Sequence, residues 1–436
     1  MFSLLKENKM FRVLMSYQFF SSIGGAMFSM FILLSVHLIY NNPIYTGIAG
    51  FLMAAPHMFS FAVGPIVDRR SKVAIMRLTT FLEFLVLSLL AFTPLQENLG
   101  IVFTFAVIFA YSIAALFEAP AGTALLPQIV HEDKIMTANS LVNIVAMVGG
   151  LAIGAILYVS LGSDINFAFL YGFSAVFLVI AFAISWFLKN LPSDSADSAD
   201  SSGSSDFSSS KAISPKGKTK SAGASYMKDL KEGARFLKGN VLLYLVIAAV
   251  TMALVAEMAY VNRPMFLEYH VGAQGYIIFV VMGLIGSIAA SSLVGMLGNR
   301  FKVGQLVFKL LLLAGVVRIA FAFILPNHYV GGLITTVIYA AFATAVLIIF
   351  SSLTQKIPSN DMVGRVDTIS TTFRAISVAA GALLGGFLGN IVPDVGHVFI
   401  YQGITLMVIG MFIMLVPATR KLPKMDEIAK AESQEA

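Results

Sequence analysis

Glu83, Glu118, Glu257, Arg318 and Arg374 are ionisable residues that stand well inside long apolar stretches of this chain. A charge at the centre of a bilayer costs about 2.5–3.5 kcal/mol on insertion scales, so each is a candidate for chemistry. The carboxylates suit proton exchange. Desolvation disfavours the charged form of an acid and lets it take up and release a proton near neutral pH. Other chemistries lack their parts. There is no G-x-x-x-x-G-K-[ST] loop to hold a nucleotide. His37, His57, His131, His270, His328 and His397 are scattered without metal-ligand spacing, and no cysteine is present. No metal, cofactor or catalytic residue is expected, because no Ser–His pair, paired Asp or His cluster converges as an intramembrane enzyme would need.

The elements that must position these residues are membrane helices. Of 436 residues, 58% are hydrophobic and 12% charged, roughly half the ~25% charge of a soluble domain. Twelve apolar spans separated by polar turns are expected at 11–40, 44–67, 73–94, 99–124, 138–162, 165–190, 240–262, 272–297, 303–325, 330–356, 366–391 and 395–417. The first is read as a spanning helix and not as a cleavable signal. The expected fold is an all-α membrane protein of twelve transmembrane helices. Basic residues fall in alternate loops: Lys6, Lys9 and Arg12; Arg69, Arg70, Lys72 and Arg77; the central gap; Arg300 and Lys302; Lys356 and Arg365; and the tail from Arg420. Arg263 is the exception. This bias places both termini and the gap in the cytoplasm, and the cell membrane is the expected location. It also accounts for the net charge of +6 without a nucleic-acid partner.

The expected organisation is an N-terminal six-helix bundle (1–190), a flexible cytoplasmic linker (191–225), an amphipathic interfacial helix (226–239), a C-terminal six-helix bundle (240–419) and a tail (420–436). The linker is Ser-, Asp-, Ala- and Lys-rich and almost without apolar residues, so burial does not offset its ordering entropy. In the following segment Met227, Leu230, Ala234 and Leu237 form one helical stripe among charged residues.

The two bundles repeat each other. Gly64-Pro65-Ile66-Val67-Asp68-Arg69 and Gly295-Met296-Leu297-Gly298-Asn299-Arg300 are offset by 231 residues, and the same offset relates Pro127 to Pro358, Gly150 to Gly381 and Gly154 to Gly385. Each half begins on the same side, which makes a parallel repeat about an axis along the membrane normal. In such an arrangement a central site faces either side by rocking, the design of a secondary transporter.

These residues also carry a family resemblance. The stretch Gly64 to Lys72 resembles the loop between helices two and three of the major facilitator superfamily. Phe117-Glu118-Ala119-Pro120-Ala121-Gly122-Thr123-Ala124-Leu125-Leu126-Pro127, continuing through Ala138 to Leu141, is similar to the macrolide-efflux-like branch of its drug:proton antiporters. So are Gln18 to Gly24 and Pro358 to Arg365. Two departures stand out: Gly150 replaces the proline usual in the fifth-helix antiporter motif, and Asn299 replaces Asp in the second copy of the loop.

The resemblance implies that helices one, four, seven and ten surround a cavity, with three, six, nine and twelve at the periphery. Glu118 and Glu257 then become the proton-coupling or substrate-charge residues, with Glu83 and Arg318 in packing roles; the bland alternative for Glu118 is a structural pair with Arg374. Tyr17, Gln18, Ser21, Tyr111, Tyr260, Tyr339 and Phe342 are the expected cavity lining. Gly64, Asp68, Arg69, Lys72, Asn299 and Arg300 form a conformational latch, and Gly149, Gly150, Gly154, Gly381, Gly385 and Gly386 act in hinge or packing roles. The implied function is export of macrolide- or multidrug-like amphiphiles by proton antiport, performed by a monomer among membrane lipids. A lysolipid, lipid-linked sugar or siderophore is the alternative cargo.

Overall fold

The computed structural model describes residues 5–6, 8–92, 100–131, 166–188, 232–298, 301–358, 360–424 and 427, with positions 134, 138, 141–142, 144–145 and 148–151 between. Nine helices among these residues are long and apolar enough to cross a membrane. The first half contains α1 (Lys9–Tyr40), α2 (Pro43–Ala54), a 3-10 segment (Ala55–Ala62), α3 (Val63–Arg69), α4 (Lys72–Phe92), α5 (Gly100–Ile129) and α6 (Phe167–Ser185). The second contains α7 (Val241–Gly298), α8 (Val303–Ile324), α9 (Tyr329–Lys356), α10 (Asn360–Ile391), α11 (Gly396–Leu415) and the short α12 (Pro417–Arg420). The expected linker and most of the fifth span lie outside the described residues.

Asparagine punctuates the helix ends. The Asn8 side chain accepts from the Phe11 amide at the start of α1, and Asn41 closes that helix in the left-handed conformation at φ 45°. Asn42 then accepts from the Ile44 amide to open α2, with Pro43 as its first residue. Asn166 caps α6 in the same way.

Two departures from regular spans have local causes. The second span is one path made of α2, the 3-10 segment and α3, with Pro56 near the start of the 3-10 stretch and Phe59 off helical geometry at φ −103°, ψ 15°. Proline removes a backbone donor and disfavours continuation of the preceding turn. Spans seven and eight run together as α7, broken at Gly272 (φ 73°, ψ 169°), a backbone region open essentially to glycine alone.

At the end bearing the basic loops, each half keeps its own core. Phe11, Met76 and Leu125 pack in the first half, and Leu242, Val346 and Ile413 in the second. Toward the opposite end the cores merge, with Met27, Phe31 and Leu34 of α1 packing among Tyr276, Phe279 and Phe399. The α2–α10 crossing joins the halves there as well. A Cβ on Gly47 would lie 2.7 Å from the Gly386 Cα, so the two backbones are in contact. Nearby the Tyr260 hydroxyl meets the Ser29 carbonyl at 3.4 Å. These two positions are separated by the repeat offset of 231 residues, and equivalent residues touch only where the repeat axis passes.

Of the amphipathic segment, residues 232–237 are helical. Leu237 is buried, Arg235 and Lys238 are exposed, and Glu232 pairs with Arg365 of α10 at 2.8 Å.

Candidate functional site

The most concentrated polar chemistry lies within the first half, where three helices meet. Tyr17 and Ser21 stand one turn apart on α1, and Thr80 and Glu83 three residues apart on α4, so each pair shares a helix face. Glu118 of α5 enters between them. Its Oε1 accepts from the Tyr17 hydroxyl at 2.7 Å and from Ser21 Oγ at 2.5 Å. Tyr17 and Thr80 hydroxyls lie 2.6 Å apart. The Glu83 carboxyl is buried beside that of Glu118, and its Oε1 has no hydrogen-bond partner. Two neighbouring carboxyl groups repel when both are charged, and a shared proton relieves that repulsion, so the pair is suited to hold and exchange a proton. At 1.5 Å per residue, Glu83 sits about 16 Å along α4 from its basic end, and Glu118 is at matching depth on α5.

Sequence reasoning assigned Glu118 to this chemistry and left Glu83 on a peripheral helix. The Thr80–Glu83 spacing is the available sequence signal that α4 turns a polar face inward. No described contact joins Glu118 to Arg374; the hydrogen-bond partners of Glu118 are the Tyr17 and Ser21 hydroxyls. Tyr111, two turns before Glu118 on α5, stacks on Phe28 with ring centroids 3.8 Å apart.

Glu257 occupies a different setting, where α7 meets α2 and α10. Its Oε1 lies 3.8 Å from the Cβ position of Gly50, and its own Cβ 3.1 Å from that of Gly381. It is half-buried and makes no hydrogen bond or ion pair with a described residue. Gly381 and Gly385 admit the backbone of α7 at Leu254 and Met258, and Asn262 Nδ2 ties the Gly385 carbonyl at 2.7 Å. Gly149 faces Ser22 Oγ at 3.0 Å and Gly150 faces Leu284 at 3.6 Å, measured from their Cβ positions; Gly154 lies outside the described residues.

Arg318 is buried inside the second half. Its Nε donates to Gln402 Oε1 at 2.5 Å, and its guanidinium sits 4.5 Å from the ring centres of Tyr339 and Phe399. Gln402 in turn donates to the Tyr339 hydroxyl at 2.9 Å. Aromatic faces and an amide oxygen therefore stand where a carboxylate partner is missing. Phe342 packs at the edge of the same half's core, and Gln18 is half-buried on α1.

Between the halves, α10 and the 3-10 segment enclose a cavity of about 240 Å³ lined by His57, Ser60, Thr371 and Arg374. A second, of about 100 Å³, continues along α10 past Asp367 and Ser370 to α7 and α9 and shares Thr371 and Arg374. At the opposite end a space of about 650 Å³ lies among His37, Glu268, His270 and Asp394. His37 Nε2 of the first half approaches Glu268 Oε2 of the second at 3.7 Å. In the loop expected to latch the halves, Gly64 has open space where a Cβ would be, and Lys72 begins α4. Asp68 and Arg69 fall at the end of α3, their side chains undescribed, and Asn299 and Arg300 lie outside the described residues.

Comparisons with known proteins agree with this architecture. The chain superposes on the nucleoside transporter NupG with a TM-score of 0.72 at 12% identity, covering 95% of this chain and 99% of that one. A D-xylose–proton symporter gives 0.69 at 12%, covering 94% and 98%. A bacterial homologue of the human lysosomal transporter Spinster gives 0.61 at 14%, covering 94% and 96%. At these identities the likeness is one of fold. No curated protein matches the sequence. The family model of the Major Facilitator Superfamily matches residues 14–382, and the chain belongs to that superfamily of membrane transporters.

Proposed function

We propose that this transporter exports lipophilic and amphiphilic compounds from the cytoplasm across the cell membrane by proton antiport, through rocking of its two halves. The observation that carries the reading is the Glu83–Glu118 pair with its Tyr17, Ser21 and Thr80 hydroxyls. It is a proton-holding unit at mid-depth, next to the helix expected to line the central path. The resemblance of the Phe117–Pro127 stretch to macrolide-efflux-like antiporters supports the export direction. With the basic loops in the cytoplasm, the merged cores lie at the outer end, and the joined state described above faces inward.

The test is transport in proteoliposomes under an imposed proton gradient, with fluorescent amphiphiles of cationic, neutral and anionic head groups. Glu83→Gln, Glu118→Gln and Glu257→Gln are run beside the parent protein. Gradient-driven movement abolished by Glu118→Gln or Glu83→Gln supports antiport through the pair. Loss in Glu257→Gln alone moves the coupling to α7, and movement that ignores the gradient refutes antiport. A second reading, a lysolipid as cargo, is favoured by the cavity between the 3-10 segment and α10, where polar and apolar walls meet at mid-depth.

A further inference from the structure

Arg374 is the one basic residue of the eleventh span (366–391), midway along α10, and it is exposed there without an ion pair or hydrogen bond to any described residue. An unpaired guanidinium at that depth carries a desolvation cost that only an anion or water offsets. Its setting is polar on one side and apolar on the other. His57 stands exposed on the facing wall with Ser60, while Ala54, Ala375 and Val378 complete the same cavity. Ser370, one turn earlier on α10, lines the adjoining cavity with a buried hydroxyl that has no partner. Asp367 is the nearest acid on α10, two turns or about 10 Å nearer the basic end. It lies beyond ion-pair reach of Arg374 and adds repulsion that confines an anion to the Arg374 end.

We infer that Arg374, with His57 and the hydroxyls of Ser370 and Thr371, forms a binding site for the anionic head group, phosphate or carboxylate, of an amphiphilic substrate. The inference rests on the transport reading above and names the charge of the cargo. A planar guanidinium makes paired hydrogen bonds to such oxyanions. The apolar residues of the cavity receive the start of the chain. Glu83 and Glu118 hold their proton inside the first half, so head-group recognition and coupling occupy separate residues.

The experiment is equilibrium binding of the full chain in nanodiscs to two fluorescent single-chain probes of equal chain length, lysophosphatidic acid and monoacylglycerol. Parent protein is expected to bind the anionic probe at least about tenfold more tightly, the effect of a charge-assisted hydrogen bond. Arg374→Gln is expected to bring the two probes to equal affinity with the neutral one unchanged, which also reports an intact fold, and Arg374→Lys to restore part of the preference. Glycerol 3-phosphate, the same head without a chain, is expected to compete at least about tenfold more weakly than the lysolipid. Equal binding by the parent protein, a preference that survives Arg374→Gln, or full competition by glycerol 3-phosphate would overturn the proposal. Gradient-independent transport with the preference intact refutes proton coupling and leaves this site standing.

Discussion

Replacing Gly47 by valine is expected to open the end at which the two halves join. A Cβ at Gly47 would lie 2.7 Å from the Gly386 Cα and 2.8 Å from the Ala382 carbonyl oxygen. Carbon contacts settle at about 3.5–4.0 Å, so α2 and α10 must part by about 1 Å. The obstructing atoms belong to backbone, and a rotamer change gives no relief. Overpacking of this kind costs about 1–3 kcal/mol, which lowers the joined population by about 5–150-fold relative to the parted one. The chain has no cysteine, so spin labels can be introduced at Ile44 and Tyr269 without altering anything else; both are exposed, one in each half. Pulsed electron-electron distances between them should be short in the parent protein and shift to a longer population in Gly47→Val, with Gly47→Ala between the two. Transport should slow in the same order. Unchanged distances in Gly47→Val, with transport unaffected, would refute the view that backbone contact holds this end together.

Three further outcomes follow from polar contacts between elements. Gln402→Leu removes the acceptor of Arg318 Nε and should lower stability by about 2–3 kcal/mol, read as a fall in thermal unfolding temperature in detergent. Adding Arg318→Met should recover much of that loss, since the stranded charge is then gone too. Asn262→Ala breaks the 2.7 Å link from α7 to the Gly385 carbonyl and should cost about 0.5–1.5 kcal/mol by the same measurement. Arg365→Ala removes a half-exposed pair with Glu232 and should change stability by less than about 1 kcal/mol; a larger fall would mean that the 232–237 helix is held chiefly by this pair.

Much of the scaffold was legible because membrane helices announce their own ends. The Asn41-Asn42-Pro43 turn divides the first two spans as expected, since asparagine tolerates the left-handed backbone and proline opens a helix. The break at Gly272 was visible only as a gap between spans, because hydropathy does not register a single backbone angle. The 3-10 stretch at Ala55–Ala62 left no signal beyond Pro56. Within the site, Glu118 was legible as a costly residue in an apolar stretch. Its union with Glu83 was not, because it depends on how α4 and α5 are rotated about their axes, and nearly all-round hydrophobicity erases that information. Arg374 was found as an intramembrane charge, while His57 across the cavity from it depends on the α2–α10 crossing, a long-range contact that no spacing encodes.

Trp186 is the only tryptophan in the chain, and it follows α6 at the basic end, exposed, with the Arg77 guanidinium 4.8 Å from its ring centre. Arg77 is itself fixed, donating to the carbonyls of Ser185 and Leu188 at 2.9–3.2 Å. An indole beside an arginine at a span end is a natural marker of the head-group layer. Emission excited at wavelengths too long for the 14 tyrosines to absorb therefore comes from one fluorophore at the rim of the first half. Quenching by lipids brominated at successive acyl positions would measure the depth of this rim in an unaltered protein. An emission change on adding substrate would report movement of the first half against the bilayer surface.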